Sequence, residues 1–159
     1  MQDFQNIFQY QSQDSIYSKC TIDSLKITKD EYYGFYSEIL TLNDKNKTYY
    51  ISVNNGMYSS KDVSEGLQIF TIENKSLVDT VKLFYSDQGL TNRIDVYFNF
   101  FSVVNRPERP IRLITYDERK KTIFIPIIDE KDQVTKYSFA YKFTGQYFEK
   151  KSRKYTNKN

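Results

Sequence analysis

A chain of 159 residues with a formal net charge of +3, one cysteine and no histidine is one domain by length, large enough to bury a core without disulfide or metal staples. The missing histidine removes the commonest general base, the commonest metal ligand and every Ser-His or Cys-His nucleophile arrangement. The lone Cys20 excludes an internal disulfide and any cysteine-based zinc site, so no cofactor is expected, and the mild basic excess falls short of that of a typical nucleic-acid binder.

The first fourteen residues, ending QSQD, place Phe4, Ile7 and Phe8 at helical spacing. That predicts either a short helix near Asp3–Tyr10 or a frayed polar leader. From Ile16 onward the hydrophobic period is two. Strands are expected near 16–28, 31–42, 47–54, 67–73, 77–86, 93–104, 111–117, 122–128, 135–143 and 146–150. The 15 tyrosines and 12 phenylalanines suit pleated, half-buried surfaces, although codon bias toward Lys, Asn, Ile, Tyr and Phe explains the excess equally well. Turn chemistry separates the segments at Asn54-Asn55-Gly56, Ser86–Gly89, Asp129–Asp132 and Thr144–Gln146. No stretch of ten residues carries a convincing helical stripe, so βαβ units are not expected. The fold class is therefore all-β, an antiparallel sandwich or barrel of about ten strands spanning residues 15–150, followed by a solvated basic tail, 151–159.

In β-prone segments the alternation predicts faces. Tyr137, Phe139, Tyr141 and Phe143 share one side of a half-buried strand, with Ser138, Ala140 and Lys142 on the other. Ile94, Val96, Phe98, Phe100 and Val104 make an apolar face whose opposite row, Asp95, Tyr97, Asn99, Phe101 and Val103, is mixed, which reads as a central strand with one face in the core and the other partly covered or lining a cleft. Pro126, inside TIFIPII, cannot donate to a ladder, so its strand is expected at an edge or with a bulge there. Two hairpin-like stretches resemble each other, TLNDKNKTYYISV at 41–53 and TYDERKKTIFIPI at 115–127. Shared turn chemistry or a duplicated hairpin both account for the likeness.

Catalytic signatures are absent from the sequence. Of the acidic residues, Asp23, Glu38, Asp79 and Asp95 fall within strands, while most others sit in solvated turns. Three of the six arginines lie in one proline-stiffened stretch, Arg106-Pro107-Glu108-Arg109-Pro110, followed by Arg112. Arginine recognises carboxylates and phosphates bidentately, and proline lowers the entropy lost on ordering a loop. The candidate binding surface is accordingly Arg106, Glu108, Arg109 and Arg112 together with Asp95, Tyr97 and Asn99. Longest apolar runs are a handful of residues, far short of the ~20 that cross a bilayer, so no integral membrane helix is expected.

The C-terminal third carries Tyr116-Asp117 before an acidic-basic turn, the strand Thr122 to Pro126, and the run Tyr141 to Phe148. In this texture it resembles the ends of uncharacterised envelope proteins and lipoproteins of the Bacteroidetes. The resemblance implies an exported, mostly β protein, acting in the periplasm or on the outer surface. Met1-Gln-Asp-Phe lacks a basic start and an apolar run, so export requires that a signal has been removed; otherwise the expected location is cytoplasmic or nuclear. The expected function is a non-enzymatic extracytoplasmic binding module, of inhibitory or immunity type, recognising a protein or glycan. The alternative is an OB-type barrel binding single-stranded nucleic acid at telomeres or DNA ends, and a carboxylate hydrolase is a third reading.

Overall fold

The computed structural model describes residues 6–21, 33–45, 47–105 and 112–156. Thirteen strands among them form three sheets. In chain order they are β1 (Asn6–Ser12), β2 (Ser15–Thr21), β3 (Tyr33–Asp44), β4 (Lys47–Met57), β5 (Asp62–Glu73), β6 (Ser76–Val78) and β7 (Phe84–Ser86). There follow β8 (Gly89–Thr91), β9 (Arg93–Asn99), β10 (Thr115–Asp117), β11 (Thr122–Ile128), β12 (Val134–Phe143) and β13 (Phe148–Thr156). Sheet one is the β1–β2 hairpin. Sheet two runs β3-β4-β5-β6, with β9 also paired to β5. Sheet three runs β10-β11-β12-β13-β7-β8. Every pairing is antiparallel except β13 with β7.

Sheets two and three pack face to face. Leu42, Ile51, Leu67 and Ile69 of the one share a core with Phe84, Ile123, Phe143 and Phe148 of the other. The Phe84 and Phe148 rings lie 5.7 Å apart and neither is exposed. Each such ring contributes about 1.5–3 kcal/mol of hydrophobic stabilisation. The strands do not close into a barrel. That corrects the barrel alternative and takes away the frame on which the OB-type expectation rested.

Where the chain begins, tertiary pairing overrides local spacing. Residues 6–12 are strand β1, not a helix, because pairing with β2 lets Phe8 stack on Tyr36 at 4.8 Å and Phe70 at 5.0 Å. The hairpin thus covers part of the outer face of sheet two. At the other end the basic run is not a solvated tail through Thr156, since β13 continues along β12 with Lys154 opposite Phe139 and Tyr155 opposite Ser138.

Asn54-Asn55-Gly56 is not a turn. These residues are ladder-paired on both sides within β4, and the reversal comes at 58–61, where Ser59 and Asp62 bond each other. The expected strand 77–86 divides into β6 and β7, which carry the chain from one sheet to the other. β9 proves an edge strand, paired only with β5 among the described strands. β12 keeps the expected faces: it pairs residue for residue with β11 from Ser138 to Lys142, Phe139, Tyr141 and Phe143 pack on one core, and the register shift opposite Phe139 and Tyr141 comes from extra residues on β13; only Tyr137 of that row is exposed. Pro126 lies beyond the reach of β10, whose pairing stops at Phe124, and a register shift follows it directly. Both features accommodate the missing N–H.

The two look-alike hairpins meet. Lys121 Nζ donates to the Asn43 carbonyl at 2.9 Å. Their turns differ, with positive φ at Lys45 in a two-residue connection and at Lys121 closing a four-residue one. Sequence likeness here does not extend to turn geometry.

Candidate functional site

Sheet three covers only part of the inner face of sheet two. Towards the open end, where Val63 and Phe98 form a second, smaller core with Val103, Leu113 and Val134, two rows of side chains point the same way as the core residues Val53 and Leu67. One row crosses the sheet as Phe35, Asn55, Glu65 and Val96, the next as Met57, Val63 and Phe98. A register shift between Tyr36 and Glu38 on β3 brings Phe35 and Glu38 to the same cavity, though a regular strand would send residues three apart to opposite faces. Together with Phe100, Arg112 and Ile114 these residues, Val96 excepted, line a cavity of about 360 Å³. Phe35 and Met57 stand at its mouth, 58% and 55% exposed.

Glu65 forms the floor. It is 2% exposed and sits on the otherwise apolar row Val63, Leu67, Ile69. The segment 112–114 precedes β10 and has no ladder of its own, so its N–H groups need acceptors. Glu65 supplies them: Oε2 accepts from the Leu113 N–H at 3.0 Å and Oε1 from Ile114 at 3.3 Å. Burial pushes the Glu65 carboxyl up from 4.5 to about 7 against the opposing pull of those two bonds, and the Glu38 charge pushes the same way. A carboxyl that titrates near neutrality in a cleft marks a functional-site candidate.

The expected site residues divide. Arg112 is exposed and lines this cavity. Asp95 and Tyr97 lie on the opposite, outer face of sheet two, because their neighbours Ile94, Val96 and Phe98 pack inward. The row of β9 and Arg112 are therefore not one surface. Asp95 pairs with Arg93 at 2.6 Å. Its Oδ1 and that of Asn54 lean over Gly66, and neither buried oxygen has a hydrogen-bond partner among the described residues. Tyr97 packs on Tyr58 at 5.6 Å, and a hydrogen bond of its neutral hydroxyl with Tyr58, with burial second, holds that hydroxyl up at about 12. Asn99 ends the strand as the cap of a 3-10 turn, Phe100–Ser102, accepting from the Phe101 N–H at 3.0 Å. The turn follows β9 directly, ahead of the arginine-rich stretch of the sequence. Arg106, Glu108 and Arg109 lie outside the described residues.

Sequence reasoning missed Glu65. Its signal was present, a carboxylate in phase with Val63, Leu67 and Ile69, and so on the buried row. Among the described residues no three His, Cys, Asp or Glu side chains are grouped to hold a metal, and no helix is long and apolar enough to cross a membrane. Comparison of the chain with protein families, with curated proteins and with solved structures finds no match.

Proposed function

We propose that this protein is a non-enzymatic binding module that acts outside the cytoplasm and recognises its partner through the cavity at the open end of the sandwich. The observation that carries the reading is the cavity itself: apolar walls, two half-exposed apolar side chains at the mouth, and a few convergent polar groups. Recognition sites have this composition. At about 360 Å³ it is at the small end of such sites, whose volumes run from roughly 300 to 1,000 Å³. That suits one inserted side chain better than a large cofactor. Of protein and glycan partners, the apolar lining favours a protein. Placement outside the cytoplasm rests on the likeness of the C-terminal third to envelope proteins.

A photo-cross-linking residue at position 57, at the mouth, tests this in the source cell. The reading expects a discrete protein adduct that disappears when the cavity is filled by Val63→Trp. Adducts indifferent to the filled cavity contradict it.

One observation favours a second reading. Glu65 and Glu38 line one cleft, and glycoside hydrolysis uses a protonated acid beside an ionised carboxylate. Against it, both Glu65 oxygens face backbone N–H groups, which commits the carboxyl to holding the chain. Hydrolysis of a glycoside by the wild type, lost in Glu65→Gln and in Glu38→Gln, would establish the enzyme reading instead.

A further inference from the structure

We infer that the cavity receives a primary ammonium on an aliphatic stem, the chemistry of a lysine side chain of a partner protein; this rests on the cavity being the recognition site. The argument starts from the charges that face it. Among the described residues they are Glu38 from β3, Glu65 from β5 and Arg112 from the segment before β10. Neither carboxylate forms an ion pair with a described residue, and Glu65 is buried at the floor, where low polarisability makes an uncompensated charge most costly. Its two backbone bonds use one lone pair on each oxygen, so acceptor capacity remains.

Arg112 is the only cation among these groups. It is exposed, so solvent and salt screen it far more than they screen the floor. The potential inside is therefore set by the carboxylates. A carboxylate ligand would meet two like charges, whereas an ammonium would neutralise the buried one. The walls agree with a cationic head on an apolar stem: Phe35, Phe98 and Phe100 bring aromatic rings, side chains that attract cations, and Val53, Met57 and Val63 bring apolar surface.

Burial keeps Glu65 partly protonated at neutral pH in the empty cavity. An ammonium selects the ionised carboxylate, so its binding displaces a proton into solvent and strengthens as pH rises from 6 to 8.

Three chain-matched probes test the inference by amide chemical shifts of the full protein: n-hexylammonium, n-hexanol and n-hexanoate. The expected result is shifts at Val63–Glu65, Phe98 and Ile114, with hexylammonium binding at least tenfold more tightly than either other probe. Glu38→Gln and Glu65→Gln should each reduce that preference to under threefold. The Leu113 and Ile114 N–H groups are bonded by Glu65 and not by Glu38, so the Glu38 variant decides the matter should Glu65→Gln unfold. Equal binding of all three probes, or tightest binding of hexanoate, overturns the ammonium assignment and leaves the recognition cavity standing. Failure of every probe to shift these residues overturns both.

Discussion

The Leu113 N–H donates to Glu65 Oε2 at 3.0 Å, tying the segment that leads into sheet three to the floor of sheet two. With the adjoining bond from Ile114, this joins the two halves of the sandwich at the open end. It also fixes one wall of the cavity.

Removing the carboxyl should therefore be costly. Glu65→Ala leaves two buried N–H groups without an acceptor, and each such loss costs about 1–3 kcal/mol. Urea unfolding should show a destabilisation of about 3 kcal/mol. A loss within 0.5 kcal/mol, the ~0.5 kcal/mol range of an ordinary surface change, would mean that the segment finds other acceptors.

A pH dependence follows with an unusual sign. Burial raises the folded-state pKa of Glu65 from 4.5 to about 7. Between those values the folded chain holds a proton that the unfolded chain has released, so this group's contribution is full below pH 4.5 and lost as pH rises through 7. A rise of about 2.5 units, at 1.36 kcal/mol per unit, amounts to about 3 kcal/mol. Wild type measured against the non-titrating Glu65→Gln should lose that much relative stability between pH 4.5 and 8. A flat difference would show that the carboxyl titrates as an ordinary one.

Gly66 is irreplaceable for a steric reason. A Cβ there would lie 2.2 Å from Asp95 Oδ1, 2.5 Å from Asn54 Oδ1 and 2.8 Å from the Ile94 carbonyl. The side chains can swing aside but the carbonyl is backbone. Gly66→Ala should destabilise by about 1–3 kcal/mol, and adding Asp95→Ala should recover only part of it. Full recovery in the double variant would assign the whole clash to the carboxylate.

Arg112→Ala should leave the melting temperature within about 1 °C, because the side chain is exposed, forms no ion pair among the described residues, and exposed charges contribute little to stability. A drop of several degrees in a thermal scan would show that Arg112 holds the segment in place.

The strands were legible because period-two alternation is imposed by the pleat itself, and Pro126 announced its irregularity because a missing N–H cannot be hidden in a ladder. The hairpins at Ser86–Gly89 and Thr144–Gln146 were likewise written in local turn chemistry. What failed were inferences where tertiary pairing outweighs local preference. Phe8 follows helical spacing but is held in a strand by Tyr36 and Phe70. Asn54-Asn55-Gly56 has turn residues, yet Asn55 lines a cavity and Asn54 leans over Gly66. The faces of β12 were read correctly, whereas the bulge between Tyr36 and Glu38 that brings Phe35 and Glu38 together leaves no mark in composition. Glu65 escaped notice for a different reason. Its neighbours were read as a strand from Leu67, so the row that reveals it began two residues too late.

The most direct measurement of the recognition site is the affinity of the cross-linked partner, once isolated, for wild type and for Val63→Trp, with both melting curves recorded. The account predicts at least a hundredfold weaker binding to the variant, which keeps a single melting transition although overpacking beside the small core of Val63 and Phe98 lowers its stability by about 1–3 kcal/mol. Unchanged affinity with the cavity filled would contradict it.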